Sequence, residues 1–152
     1  MRRLTLILAA LAAGVATPAL AGPVEDFQKL QDDYWAAYLR DNPVFATFQG
    51  VSTYDRELGK LGPAEVERQV AEARALLARL NAIPAASLPP AEQVNHAILR
   101  RQLQDFIDGA MFGANFIPYS SRGTFSDNLS QYLAALPLRT AADYDNYLAR
   151  LA

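Results

Sequence analysis

The sequence predicts an all-α protein built of helical hairpins and short helices. Three observations carry that expectation. Apolar residues recur at three- and four-residue spacing through most of the chain, Pro and Gly punctuate it at the places where such runs start and stop, and no segment alternates in the two-residue period of a half-buried strand. With 152 residues, no cysteine and a single histidine, His96, the chain has room for one ordinary domain. Packing alone must hold it, since disulfides are excluded.

Residues 1–21 stand apart. Met1, Arg2 and Arg3 form a positive start, Leu4 to Ala13 an apolar stretch, and Ala19-Leu20-Ala21 a small-x-small site before Gly22, so Ala19, Ala21 and Gly22 mark an expected signal-peptide cleavage point. Ten residues of helix span only ~15 Å, about half a bilayer's hydrocarbon core, which favours a removable export signal over an anchor. The expected product is periplasmic or secreted, with no membrane attachment after signal removal. It keeps 12 basic and 16 acidic side chains once Arg2 and Arg3 are gone. A nucleic-acid partner held by phosphate neutralisation has no support in such a balance.

Residues 22–152 read as helices in series. The first runs from about Pro23 to Arg40, with Val24, Phe27, Leu30, Tyr34 and Tyr38 in period, and Asn42-Pro43 stops it. Pro43 opens a short helical turn through Phe45 and Phe48 that Gly50 ends, and residues 51–62 form a loop. The clearest helix spans about Pro63 to Ala82, with a seam of Val66, Val70, Ala73, Leu77 and Leu80. A second long helix from about Pro90 to Phe112 places Leu99, Leu103, Phe106 and Ala110 on one face, and Gly113 caps it. So short a connection predicts an antiparallel hairpin. After an irregular stretch from Ala114 to Gly123, Ser126 opens a helix that Pro137 closes. Thr140 and Asp143 then make a capping box for a last helix whose apolar side is Tyr144, Tyr147, Leu148 and Leu151. That helix reaches Ala152 without a cap, which leads us to expect a chain truncated at its C-terminus.

Few residues point to chemistry. One histidine and no cysteine cannot supply three or four nitrogen or sulfur ligands, so no zinc site of that type is expected within this chain, and no catalytic or metal residues are assigned. His96 is expected at the edge of its helix's apolar face, making one hydrogen bond. The carboxylate pairs Asp32-Asp33, Asp105 with Asp108, and Asp143 with Asp145 read as solvated faces, because no glycine-rich calcium loop accompanies them. The aromatic group Tyr34, Trp35, Tyr38, Phe45 and Phe48 is expected to be core packing between the first two helical segments. Tyr119-Ser120-Ser121-Arg122-Gly123 sets hydroxyls and a guanidinium beside a glycine, yet its serines have no base nearby in sequence.

The order of segments nevertheless resembles a known family. DDYWAAYLRDNPVFATFQGVSTYDREL, then ARALLARLNAI, VNHAILRRQLQDFIDG, an IP-containing loop and LPLRTAADYDNYLARLA is similar to the beginning of the domain of unknown function 885 family. The P-x-x-A-T-x-x-G pattern from Pro43 to Gly50, the Tyr54-Asp55 pair and the stretch from Asp143-Tyr144 to Arg150-Leu151 carry most of the likeness. His96 stands where an aromatic would be expected, which points to packing. The resemblance implies a bacterial protein of several hundred residues, largely helical, related to zinc-dependent peptidases of the HExxH type. There the motif places two histidines on one helical face and the intervening glutamate polarises the metal-bound water. The chain contains no His-Glu dipeptide, so none of those residues is carried over, and zinc is implied only for a full-length protein.

The expectation is therefore an exported, non-catalytic N-terminal region of a zinc-metallopeptidase-like protein, truncated before its catalytic region, which would be its principal partner. The helices would wall a substrate channel, with Tyr54, Asp55, Tyr119 and Arg122 as candidate contacts to a peptide substrate. The competing expectation is a non-catalytic helical binding or protein-interaction module of the periplasm.

Overall fold

The computed structural model describes residues 22–114, 119–120, 123–124, 131 and 133–152. The protein is all-α. Helix α1 spans Pro23–Asp41, α2 Pro43–Phe48, α3 Pro63–Asn81, α4 Pro90–Met111 and α5 Ala141–Leu151, with single 3-10 turns at Ser52–Tyr54 and Ala85–Ser87. Strand character, not expected from the sequence, is confined among the described residues to one antiparallel pair, β1 (Tyr119–Ser120) with β2 (Gly123–Thr124), in which Tyr119 faces Thr124 and Ser120 faces Gly123. Two residues a side cannot make an independent sheet, and the pair leaves the class unchanged. The helix expected to open at Ser126 lies largely outside the described residues.

Proline and glycine set the boundaries, as local chemistry should. α1 to α4 each begin at a proline, whose missing N–H is one the first turn leaves unpaired anyway. Gly50 and Gly113, at φ +78° and +72°, supply the left-handed residue that follows α2 and α4. α5 carries the expected capping box. Asp143 N–H donates to Thr140 Oγ1 at 3.2 Å, and the Asp143 carboxylate accepts from Thr140 N–H at 2.8 Å and Arg139 N–H at 2.9 Å. Those two backbone donors hold the Asp143 carboxyl below its ordinary range.

α3 and α4 fold back on one another, and α1 lies against them. Their shared core is Phe27 and Leu30 from α1, Ala73, Leu76 and Leu80 from α3, Ile83 and Leu88 from the connection, and Leu99, Leu103 and Ile107 from α4. Burying side chains of this size stabilises by about 1.5–3 kcal/mol each, so this cluster supplies most of the drive to fold. Two faces differ from expectation by a fraction of a turn. α3 buries Leu76, which lay outside the predicted seam, and leaves Val66, Val70 and Leu77 half-buried. α4 turns Ile107 inward instead of Phe106, because its buried stripe starts one turn earlier, at His96. His96 is a core residue, not an edge one. Its Nε2–H donates to the Leu80 carbonyl at 3.1 Å, and its ring stands 5.7 Å from that of Phe27. An imidazole fills the place of an aromatic there while satisfying a carbonyl near the end of α3.

The aromatic group also differs. Trp35, Tyr38, Phe45 and Phe48 are exposed, and only Tyr34 packs on the core. Trp35 and Tyr38 stack with parallel rings 5.8 Å apart, and Phe45 meets both edge-on, so the rings pack on each other without being covered. Helix α2 is too short to shield them.

An ion-pair network ties the end of α1 to α3. Arg40 and Arg68 together hold Asp41 and Glu72, and Arg68 also holds Glu65 within its own helix. Burial raises the Asp41 carboxyl, but the hydrogen bonds from Arg40 and Arg68 outweigh that and hold it below the usual carboxylate range. The carboxylate pairs of α1 and α4 behave as solvated faces. Asp33 pairs with Arg79, Asp105 with Arg101, and Asp32 and Asp108 accept from glutamines one turn away.

Candidate functional site

The residues that carry the family likeness are scattered through the chain, and the fold gathers three of its motifs at one point. Thr47 belongs to the Pro43 to Gly50 pattern, and α2 holds it because Pro43, Val44 and Ala46 are buried beneath it. Gly50 then reverses the chain so that the 3-10 turn at 52–54 presents Tyr54 and Asp55 beside Thr47. Arg150 arrives from α5, oriented by the same capping box that starts the helix.

Arg150 is the centre of this knot. Its guanidinium donates from one terminal nitrogen to Thr47 Oγ1 at 2.8 Å and to the Tyr54 carbonyl at 3.2 Å, and lies 3.8 Å from Asp55 Oδ1. Thr47 in turn donates its hydroxyl hydrogen to Asp55 at 2.6 Å. Threonine thus accepts from the cation and donates to the anion, using its one hydrogen where the carboxylate is closest. The Arg150 side chain is 1% exposed, and its Nε–H is buried without an acceptor among the described residues. Burial pulls the Arg150 guanidinium below its ordinary value, and the Asp55 carboxylate pushes it back. At the rim, Arg56 donates to Asn146 at 3.4 Å. A small cavity of about 130 Å³ adjoins the knot, bounded by Ser52, Asp143, Asn146 and Tyr147 as well as by Thr47 and Arg150.

Chemically this arrangement holds two segments together. The Thr47 hydroxyl is committed on both sides, and no histidine or lysine stands beside it among the described residues to activate it as a nucleophile. Its work is to bind α5 to the α2 region with a desolvated charge, a geometry that tolerates little displacement.

The sequence-derived candidates fall out unevenly. Tyr54 and Asp55 both belong to the knot, the first through its backbone carbonyl and the second through its carboxylate. Tyr119 pairs its backbone with Thr124 in the short strand pair. Arg122, Ala19 and Ala21 lie outside the described residues, and Gly22 is the residue preceding α1, its N–H 3.4 Å from the Glu25 carboxylate. Arg150 and Thr47 were not singled out by sequence reasoning. The available signal was an arginine one turn from Asn146 and Tyr147 and two from Asp143, on the side of α5 opposite its leucines.

The zinc implied by the resemblance has no fit in these residues. His96 Nε2 is engaged in the core, and among the described residues no group of three or more His, Asp or Glu side chains is placed to hold a metal ion. No helix among the described residues is long and apolar enough to cross a membrane.

Comparison with known proteins returns no match among curated proteins and none among solved structures. Residues 43–152 match a family described as bacterial protein of unknown function, DUF885, a span that runs from α2 to α5 and includes every member of the Arg150 knot. With well over half of its length matched, and with the family-bearing segments converging on one buried arginine, the chain belongs to the DUF885 family.

Proposed function

We propose that this chain is the N-terminal, non-catalytic helical region of an exported, zinc-dependent metallopeptidase-like protein, in which peptide hydrolysis belongs to a catalytic region elsewhere in the polypeptide. One observation carries the reading: α5 is inside out. Tyr144, Leu148 and Leu151, spaced as one stripe, are 53%, 63% and 50% exposed, while Arg150 on the same helix is 5% exposed. A helix that spends a buried charge on one side and leaves its apolar stripe in water has the surface of an interior element awaiting a cover. The catalytic region is the cover we assign to it, and residues 1–21 are the export signal. A peptide passing along the helical wall would meet Tyr54, Asp55, Tyr119 and Arg122.

The coding sequence downstream of codon 152 tests this directly, since an in-frame HExxH is expected there. Residues 22–152 produced alone should self-associate and bind no stoichiometric zinc, while the longer protein should carry zinc and cleave peptides. Leu148→Lys should make the isolated region more soluble with its helicity intact, and should lower the melting temperature of the longer protein. A stop codon after Ala152, together with a monodisperse region indifferent to Leu148→Lys, would sink the reading. The stripe also suits a separate protein partner, and the interaction-module reading wins if the same stop codon is found and Leu148→Lys abolishes a stable complex. Unchanged turnover and affinity across a peptide panel after Tyr119→Ala and Arg122→Ala would remove the substrate-contact assignment alone.

A further inference from the structure

A groove of about 710 Å³ lies between α1, α3 and α4, beside the ion-pair network, and its size is that of small-molecule sites. Its floor is aliphatic, made of the buried Ala73, Leu76 and Leu103, and Tyr34, Tyr38 and Phe106 line it above. The loop before α3 supplies one end. Gly59 and Gly62, at φ +103° and +113°, take backbone conformations open to glycine, and between them the chain presents Lys60 and Leu61, both of which line the groove. Leu61 is 77% exposed at the edge of this apolar depression.

The charged groups here are of two kinds. Asp41, Glu65 and Glu72 are each paired with Arg40 or Arg68, in a network that keeps one net negative charge but has all three of its carboxylates engaged. Lys60 has no partner among the described residues, which leaves one ammonium beside an aliphatic floor. We propose that the groove binds a long-chain carboxylate, its alkyl chain along Leu76 and Leu103 under Leu61 and its carboxylate on Lys60. The walls decide between an alkyl chain and a peptide. Apart from the loop at one end they are helices, whose backbone donors and acceptors are consumed internally, and the Asn42 and Gln69 amides already donate to Tyr38 and Glu65, so a peptide laid there would find few partners for its own amides beyond Gln102 and the loop, whereas an alkyl chain has none to satisfy. No residue of this groove belongs to the peptide-contact set, so the proposal stands or falls apart from the peptidase reading.

Trp35, the sole tryptophan, stacks on Tyr38 of the groove wall and is a built-in reporter. Titrating the whole chain with decanoate below its micelle concentration should change Trp35 fluorescence saturably. Decanol should bind roughly three- to fivefold more weakly, the size of one exposed charge pair, and decyltrimethylammonium more weakly still. Lys60→Gln should bring decanoate down to the affinity of decanol while leaving decanol unchanged. Leu61→Ser and Phe106→Ser, at exposed positions where folding is not at stake, should weaken both. Absence of saturable decanoate binding overturns the proposal, as does equal binding of decanol and decanoate with no effect of Lys60→Gln. Preferential binding of a peptide ending in apolar residues overturns it in favour of a peptide site.

Discussion

Replacing Arg150 by alanine should release α5 while leaving the three-helix core folded. Arg150 makes two hydrogen bonds from a charged donor, to Thr47 Oγ1 and the Tyr54 carbonyl, and each such bond is worth about 1.5–3 kcal/mol. Against that gross gain stands the buried Nε–H with no acceptor, a cost of about 1–3 kcal/mol that the truncation relieves. Asp55 is left with the Thr47 hydroxyl and some solvent, so it is not wholly stranded. The net loss comes to about 3 kcal/mol, the lower end of what breaking a buried pair costs. Arg150→Met, which keeps the packing and removes the orphaned donor, should cost about half as much. Amide hydrogen exchange reads this locally, because opening of α5 need not be global unfolding. At 1.4 kcal/mol per decade, Arg150→Ala should speed exchange along α5 by about 100-fold, with α3 and α4 unchanged. Exchange in α5 within threefold of the parent, or Arg150→Met as damaging as Arg150→Ala, would refute the account of the knot.

Acid should weaken the junction of α1 with α3. The Asp41 carboxyl is held below its unfolded value of about 3.9, so its contribution is complete above that pH and is lost as pH falls through the lower folded value; Asp41→Asn should flatten the acid limb of melting temperature against pH. Thr140→Ala removes the side-chain half of the α5 cap, should cost ~1 kcal/mol, and should show as faster exchange in the first turn of α5. Ile107→Ala should destabilise by about 2–4 kcal/mol in urea unfolding, whereas Phe106→Ala should cost well under half of that; the reverse order would mean that α4 is rotated from the face described here.

How much of this was legible in the sequence differs by kind of feature. Every proline that was expected to start a helix from α1 to α4 does so, and the Thr140–Asp143 box closes as its spacing implies. The Arg150 knot could not be read the same way. Nothing within a turn of Arg150 in the chain tells it that Thr47 and Tyr54, about a hundred residues earlier, will supply its acceptors. The aromatic group misled for a related reason. Trp35, Tyr38 and Phe45 do cluster, but α2 spans only Pro43–Phe48 and cannot cover them, so clustering and burial part company. Likewise, Lys60 and Leu61 look like ordinary loop residues until α1, α3 and α4 are packed beneath them.

The sequence by itself determined where helices begin and end, because a proline's missing N–H, a glycine's positive φ and a cap's hydrogen bonds act within one turn of the backbone. It determined the all-α class for the same reason, through a periodicity that each helix carries alone. Only the tertiary structure decided which face of each helix is the inner one. An amphipathic stripe fixes a helix's rotation only when a neighbour is there to bury it, and α5 shows the consequence: its leucines face water, while on its other side Arg150 is buried where Thr47 and Tyr54 supply acceptors.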